Sequence, residues 1–321
     1  MALTRRRLLA LGTGALLASA MPALASDTVR ISGRAFGTTW HLRLRGDGEA
    51  DVLGRNLAAL LERIDRSMSP FRADSALARF NASGTGRHEV DPDLAAVTTE
   101  ALRMALLTDG AFDPSVGPDV GRYGFGPIHG TRFGTYHGFN SDGRTIAKLD
   151  NRLTLDLCGI AKGYALDLMG DCIEEAGYRD FVAELGGEVV ARGTDFGGMP
   201  WRIGIADPLG SGGLQAVVDI GELALATSGD AVNAYSVAGR RYSHIIDPRT
   251  DEPVQNSVAS VSVLADTAMA ADALATALMV MGPEVGVPFA EAHALPVLYL
   301  LRTSDGLSEV ASSSFDPHRL T

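Results

Sequence analysis

The stretch FVAELGGEVVARG, Phe181–Gly193, reads as short apolar strands meeting at a glycine-rich turn. Downstream the same pattern recurs as far as Val258, with strand-like runs separated by glycine turns and short helical pieces at most. Upstream, RLTLDLCGIAKGYALDLMGDCIEEAG (Arg152–Gly177) predicts strand, turn and helix: Leu153, Leu155 and Leu157 alternate, and Ile160, Tyr164, Leu168 and Cys172 recur every four residues. Strands that follow one another without strict strand–helix alternation predict an α+β fold, mainly antiparallel sheets with packed helices.

The flanks fit that class. TVRISGRAFGTTWHLRLRG after residue 27 predicts a strand pair entered through a tight turn, and Leu53, Leu57, Leu60, Leu61, Ile64 and Met68 place a helix over 50–68. A short helix ends at ARFN, and another runs from Asp93 to about Thr108, closed by Gly110. The aromatic-rich, glycine-rich segment 110–143 lacks a period, as an ordered binding loop would. The chain closes with the strand SVSVLA, helices over 267–281 and 285–294, and the strands PVLYLL and LSEVASS. No internal repeat or linker sets a boundary within 26–321.

Residues 1–25 carry Arg5-Arg6-Arg7, an uncharged apolar run and ALA at 23–25, a cleavable export signal that resembles the twin-arginine type. A membrane anchor is the alternative, but glycine and serine interrupt the run. Cleavage would leave the chain in the periplasm. The formal net charge of -11 becomes more negative once the three arginines are lost, which disfavours nucleic acid and anionic lipid as partners. Composition, at 46% hydrophobic and 21% charged, supports a full globular core. Cys158 and Cys172 are expected to be buried free thiols.

Three places could do chemistry. In ADALATAL (271–278), Asp272 and Thr276 stand one turn apart on an otherwise apolar helix, so both oxygens can face one point. A hard cation such as Mg2+ suits a carboxylate, a hydroxyl and backbone carbonyls. On these residues alone, a plainer reading has Asp272 capping a neighbouring turn and Thr276 bonding back to its own helix. DLCGIAKG (156–163) turns through Gly159 into a helix with Lys162 in its first turn, either an anion site or an ordinary turn with a solvated lysine. RYSHIIDPRT (241–250) offers His244 and Asp247, although a lone histidine is more often structural than catalytic. No zinc-ligand spacing, GxSxG elbow or GxGxxG fingerprint is present.

Taken together, FGTTW (36–40), MSPFRADSALARFN (68–81), GAFDPSVGP with YGFGP (110–127), DLCGIAKGYALD (156–167), LGGEVVARG (185–193), ATSGD with YSHIIDPRT (226–250) and ADALATAL resemble, in order, the motifs of the ApbE family of FAD:protein FMN transferases. The resemblance implies an ApbE-like, T-fold-like architecture. It also implies Mg2+-dependent transfer of FMN from FAD to a threonine of a partner flavoprotein, with AMP released.

By position, Gly159 (through its carbonyl), Asp272 and Thr276 correspond to metal ligands. Phe36, Phe71, Ala111, Phe112, Asp113, Asp156, Lys162 and Ile246 correspond to flavin contacts. His244 corresponds to a histidine near the reacting phosphate, with Lys162 as a second cation and Asp247 as a reserve base. The implied acceptor is a membrane-bound respiratory flavoprotein, as in exported relatives serving nitrous oxide reduction. Hydrolysis of FAD to FMN and AMP, or FAD binding without turnover, would use the same residues.

Four positions depart from the family pattern. Phe36 replaces a methionine, Phe71 a tyrosine, Tyr123 a tryptophan and Asp251 a glycine. Phe71 keeps a ring but lacks a hydroxyl, which removes a hydrogen bond worth about 1 kcal/mol.

Overall fold

The computed structural model describes residues 28–46, 50–231 and 233–320. The export signal expected at 1–25 lies outside them. One eight-stranded sheet organises the chain: β1 Thr28–Ala35, β2 Thr38–Arg45, β3 Phe181–Leu185, β4 Glu188–Arg192, β5 Ala224–Gly229, β6 Val258–Ala265, β7 Val297–Thr303 and β8 Gly306–Ala311. They lie side by side in chain order, each antiparallel to its neighbours. The α+β expectation is therefore met by a meander interrupted by long excursions.

The helices are α1 Ala50–Met68, α2 Ala76–Asn81, α3 Pro92–Leu107, α4 Gly117–Arg122, α5 Ala161–Glu175 and α6 Ala268–Ala292. α1, α3, α5 and α6 share one core with Trp40, Leu42, Leu44, Ala183, Val190, Val261, Val263 and Tyr299. Alternate residues of the same strands, Val182, Val189, Leu298 and Leu300 among them, point the other way. There they meet Trp201, Ile203, Val218 and Phe315, from segment 201–219 with its hairpin and from the C-terminal turn. Covering both faces explains why β3 and β4 are almost wholly buried rather than alternating between buried and exposed.

α6 is long and apolar enough to cross a membrane, yet it packs against α5, β5 and β6 as a core helix. Gly282 (φ 69) breaks it ahead of Pro283, the boundary expected between two helices. The Tyr299 hydroxyl donates to the Leu278 carbonyl at 3.0 Å and so satisfies part of the interrupted ladder.

Two expectations need correction. Residues 153–157 alternate but form no strand. The Asn81 side chain occupies the place of a pairing strand, accepting from the Leu155 amide and donating to the Leu155 carbonyl, both at 2.8 Å. Cys158 is exposed and Cys172 half-buried, although both are free as expected. Segment 110–143 is ordered, containing α4, a 3-10 turn and a short strand.

Candidate active site

The floor of the site is the junction of α5 and α6. α5 begins at Ala161 without a side-chain cap of its own, so its first-turn amides need partners from elsewhere. Asp272 supplies one: its Oδ2 accepts from the Gly163 amide at 3.1 Å. Asp167 of α5 returns the favour, accepting from the Ala268 and Met269 amides at 2.7 and 2.9 Å. Burial pushes the Asp167 carboxyl up to about 6, against the pull of those two amides. The two helices thus cap each other, and glycine is required at 163 because a β-carbon there would lie 2.2 Å from the Ala268 carbonyl oxygen.

Capping uses only one oxygen of Asp272, which is 4% exposed. Burial raises its carboxyl above the ordinary range, opposed by nearby Lys162 and the Gly163 amide. One turn on, Thr276 Oγ1 lies 3.3 Å from Ser228 Oγ of the ATSGD motif. A β-carbon on Gly159 would meet Thr276 Oγ1 at 3.1 Å and the Phe112 ring at 3.3 Å. Gly159, Thr276 and Phe112 therefore converge, and the oxygen donors available there (carboxylate, hydroxyls, backbone carbonyl) suit a hard cation with few protein ligands. Among the described residues no cluster of three or more acidic, histidine or cysteine side chains offers a cage of the zinc type.

Lys162, from the same first turn of α5, is ion-paired with Glu188 at the head of β4. Asp156, buried just before the turn, accepts from the Cys158 amide at 3.0 Å and is packed against Gly117 of α4. Ala111, Phe112 and Asp113 are all buried, and Arg132 fixes this run in place. With its side chain 6% exposed, Arg132 donates to Asp113 at 2.8 Å, to Asp251 at 2.6 Å and to the Pro248 carbonyl at 2.8 Å. It joins the 110–134 loop to the turn that follows Ile246 and Asp247.

Asp251 has φ 59, the left-handed conformation that glycine adopts most readily. Its ion pair with Arg132 gives the substituted side chain a use. Arg132 and Glu188 escaped the sequence reading. The signals available were an arginine inside an aromatic loop and an acid heading an apolar strand.

His244 follows the 234–243 hairpin, within electrostatic reach of Lys162. Its Nδ1 faces the Asn233 carbonyl at 3.2 Å, and a carbonyl can only accept, so Nδ1 carries the proton and Nε2 keeps its lone pair. Burial lowers its pKa and favours the neutral ring. Aromatic contacts hold the hairpin: Phe125 stacks on Tyr235 at 5.3 Å, Tyr235 on Tyr242 at 5.2 Å, and Phe125 meets His244 edge-on at 6.2 Å.

Asp247 is differently placed, with both carboxylate oxygens held by Arg249 at 2.9 and 2.8 Å. Burial pushes its carboxyl up, but the Arg249 contacts outweigh this and the net shift is downward, which makes it a poor proton acceptor. Ile246 is buried in the same turn. Phe36 occupies the β1–β2 turn at φ 50 and packs on the main core, while Phe71 is 66% exposed. Among the described residues no ring contact or side-chain hydrogen bond ties either phenylalanine to the floor.

A sequence model of the ApbE family matches residues 36–299, a span that contains every residue just described. The chain belongs to the ApbE family. It is 40% identical over 311 residues to the FAD:protein FMN transferase of Vibrio cholerae, covering 91% of this chain and 93% of that one. Identity to the Haemophilus influenzae FAD:protein FMN transferase is 32% over 319 residues, covering 90% and 91%. Its structure is similar to that of the flavin transferase ApbE from Vibrio cholerae (TM-score 0.83, 38% identity, 91% and 99% covered). It is also similar to the apo flavinyl transferase ApbE of Pseudomonas stutzeri (TM-score 0.82, 30% identity, 92% and 98% covered). Members of the ApbE family therefore share this meander and its helical layer.

Proposed function

We propose that this chain is an FAD:protein FMN transferase, exported to the periplasm, that uses Mg2+ to move FMN from FAD to a threonine of a partner flavoprotein. The observation that carries this reading is the convergence of Asp272, Thr276, Gly159 and Lys162 on one floor, in a chain of this family, with His244 within electrostatic reach of Lys162. Asp272, Thr276 and the Gly159 carbonyl would hold Mg2+, which when bound neutralises pyrophosphate charge and polarises the phosphorus under attack.

The remaining chemistry belongs to side chains. Lys162 has donors beyond the one given to Glu188, and these hold pyrophosphate oxygens. The buried Ala111–Asp113 run, Asp156 and Ile246 shape the flavin side, and Arg132 ties Asp113 to the turn that follows Ile246. The acceptor threonine Oγ forms a bond to the FMN phosphorus as the pyrophosphate bond breaks, and AMP departs with the bridging oxygen. His244 Nε2 takes the threonine proton. Asp247, held by Arg249, orders the turn.

A partner flavoprotein of a membrane respiratory chain would present its threonine on the periplasmic side, in keeping with an export signal at 1–25. Chelation should stop FAD conversion in the wild-type protein and added Mg2+ should restore it. In Asp272→Asn, Mg2+ should restore less than about 1% of the rate, given the several kcal/mol a catalytic metal supplies. Wild-type rates in that variant would overturn the assignment of the floor.

A further inference from the structure

Glu188 is an acid that none of these roles uses. It follows the left-handed glycines Gly186 (φ 63) and Gly187 (φ 114), which close the β3–β4 hairpin and bring the head of β4 to the first turn of α5. On β4, Glu188 and Val190 face the helices while Val189 and Ala191 face the opposite core. The side chain is 2% exposed. Its Oε1 accepts from Lys162 Nζ, and its Oε2 is buried without a hydrogen-bond partner. An acid so enclosed depends strongly on its one cation.

Lys162 has a second acid within electrostatic reach, Asp272, whose Oδ2 is held by the amide of the very next residue. Nonetheless, among the described residues the ammonium is ion-paired with Glu188 and not with Asp272. Were Lys162 to turn to Asp272, it would cover the carboxylate assigned to the metal.

We infer that Glu188 is a positioning residue that holds the Lys162 ammonium away from Asp272, keeping that carboxylate open to a divalent cation. The inference rests on the metal reading of the floor. It predicts that a cation binds to a protein in which one acid is reserved for lysine and the other for the metal, with Lys162 still offering its other donors to phosphate oxygens.

The test is Mn2+ binding to the full mature chain without FAD, followed by the electron paramagnetic resonance of free Mn2+, beside crystal structures of the variants. Wild type should bind one Mn2+, and Asp272→Asn should not. Failure of either result sinks the metal reading itself. Given both, Glu188→Gln should bind Mn2+ at least tenfold more weakly, and its crystal structure should show Lys162 Nζ paired with Asp272. Adding Lys162→Met to Glu188→Gln should restore wild-type affinity.

Unchanged affinity in Glu188→Gln overturns the positioning role. So does a Lys162 that stays off Asp272 in its crystal structure, or a double variant that stays weak. If Glu188→Gln does not fold, Lys162→Met alone decides: the inference requires Mn2+ binding at least as tight as wild type, and weaker binding refutes it.

Discussion

The floor of the candidate site and the flank that carries His244 are built by different means. At the floor, α5 and α6 cap each other through Asp167 and Asp272 and approach so closely at Gly163 that no side chain fits. On the flank, a two-stranded hairpin carries His244, stacked aromatic rings hold that hairpin, and Arg132 ties the loop below it to the 247–251 turn. The departures from the family pattern, Phe36, Phe71, Tyr123 and Asp251, all fall outside the floor. Buried polar groups on two mutually capped helices leave no room for exchange, whereas rings and turns away from those caps can be replaced if a partner such as Arg132 takes up the new group.

His244 offers the sharpest way to break that contrast, since its proposed role as the base would place a reacting group on the adjustable side. Replacing it with Ala should cut transfer about 100-fold or more, the usual contribution of a general base. The pH profile carries the sign: the base works only when neutral, and burial lowers its pKa, so wild-type kcat/KM should fall as pH drops through a midpoint below about 6.5. That acid limb should be absent in His244→Ala. An unchanged limb would move the proton transfer to another group.

Arg132→Met comes next. It leaves Asp113 buried beside no cation, at a cost of about 3 kcal/mol in stability, and a denaturant melt should record it. The KM for FAD should rise more than kcat falls, because the loop and the turn are held relative to each other rather than to the floor. A stable variant with normal KM would mean that the two segments find their places without Arg132.

Phe71→Tyr is the smallest change. Restoring the family hydroxyl should improve FAD binding by about 1 kcal/mol, roughly fivefold, with kcat unchanged. No improvement would show that the exposed ring at 71 lies away from bound FAD in this chain.

The sequence carried most of the helical layer and nearly all of the main sheet, because apolar spacing and glycine turns act locally. It misled at Leu153–Leu157, where alternation correctly foretold burial but a side chain, Asn81, stood in for the pairing strand. It also left Asp272 ambiguous between a cap and a ligand. The structure shows the cap, with one oxygen accepting from the first turn of α5, and the metal role of the other rests on the proposal. Arg132 and Glu188 stayed hidden because their partners, Asp251 and Lys162, are distant in sequence, and no local pattern announces a long-range ion pair.

The fate of the FMN half is the most direct test of transfer. The mature protein, given FAD, Mg2+ and a candidate acceptor domain, should produce an FMN-sized mass increase on a threonine of the acceptor, with AMP released in equal amount. AMP accompanied by free FMN and an unmodified acceptor would make the protein a hydrolase. AMP-free incubation with FAD merely bound would contradict turnover altogether.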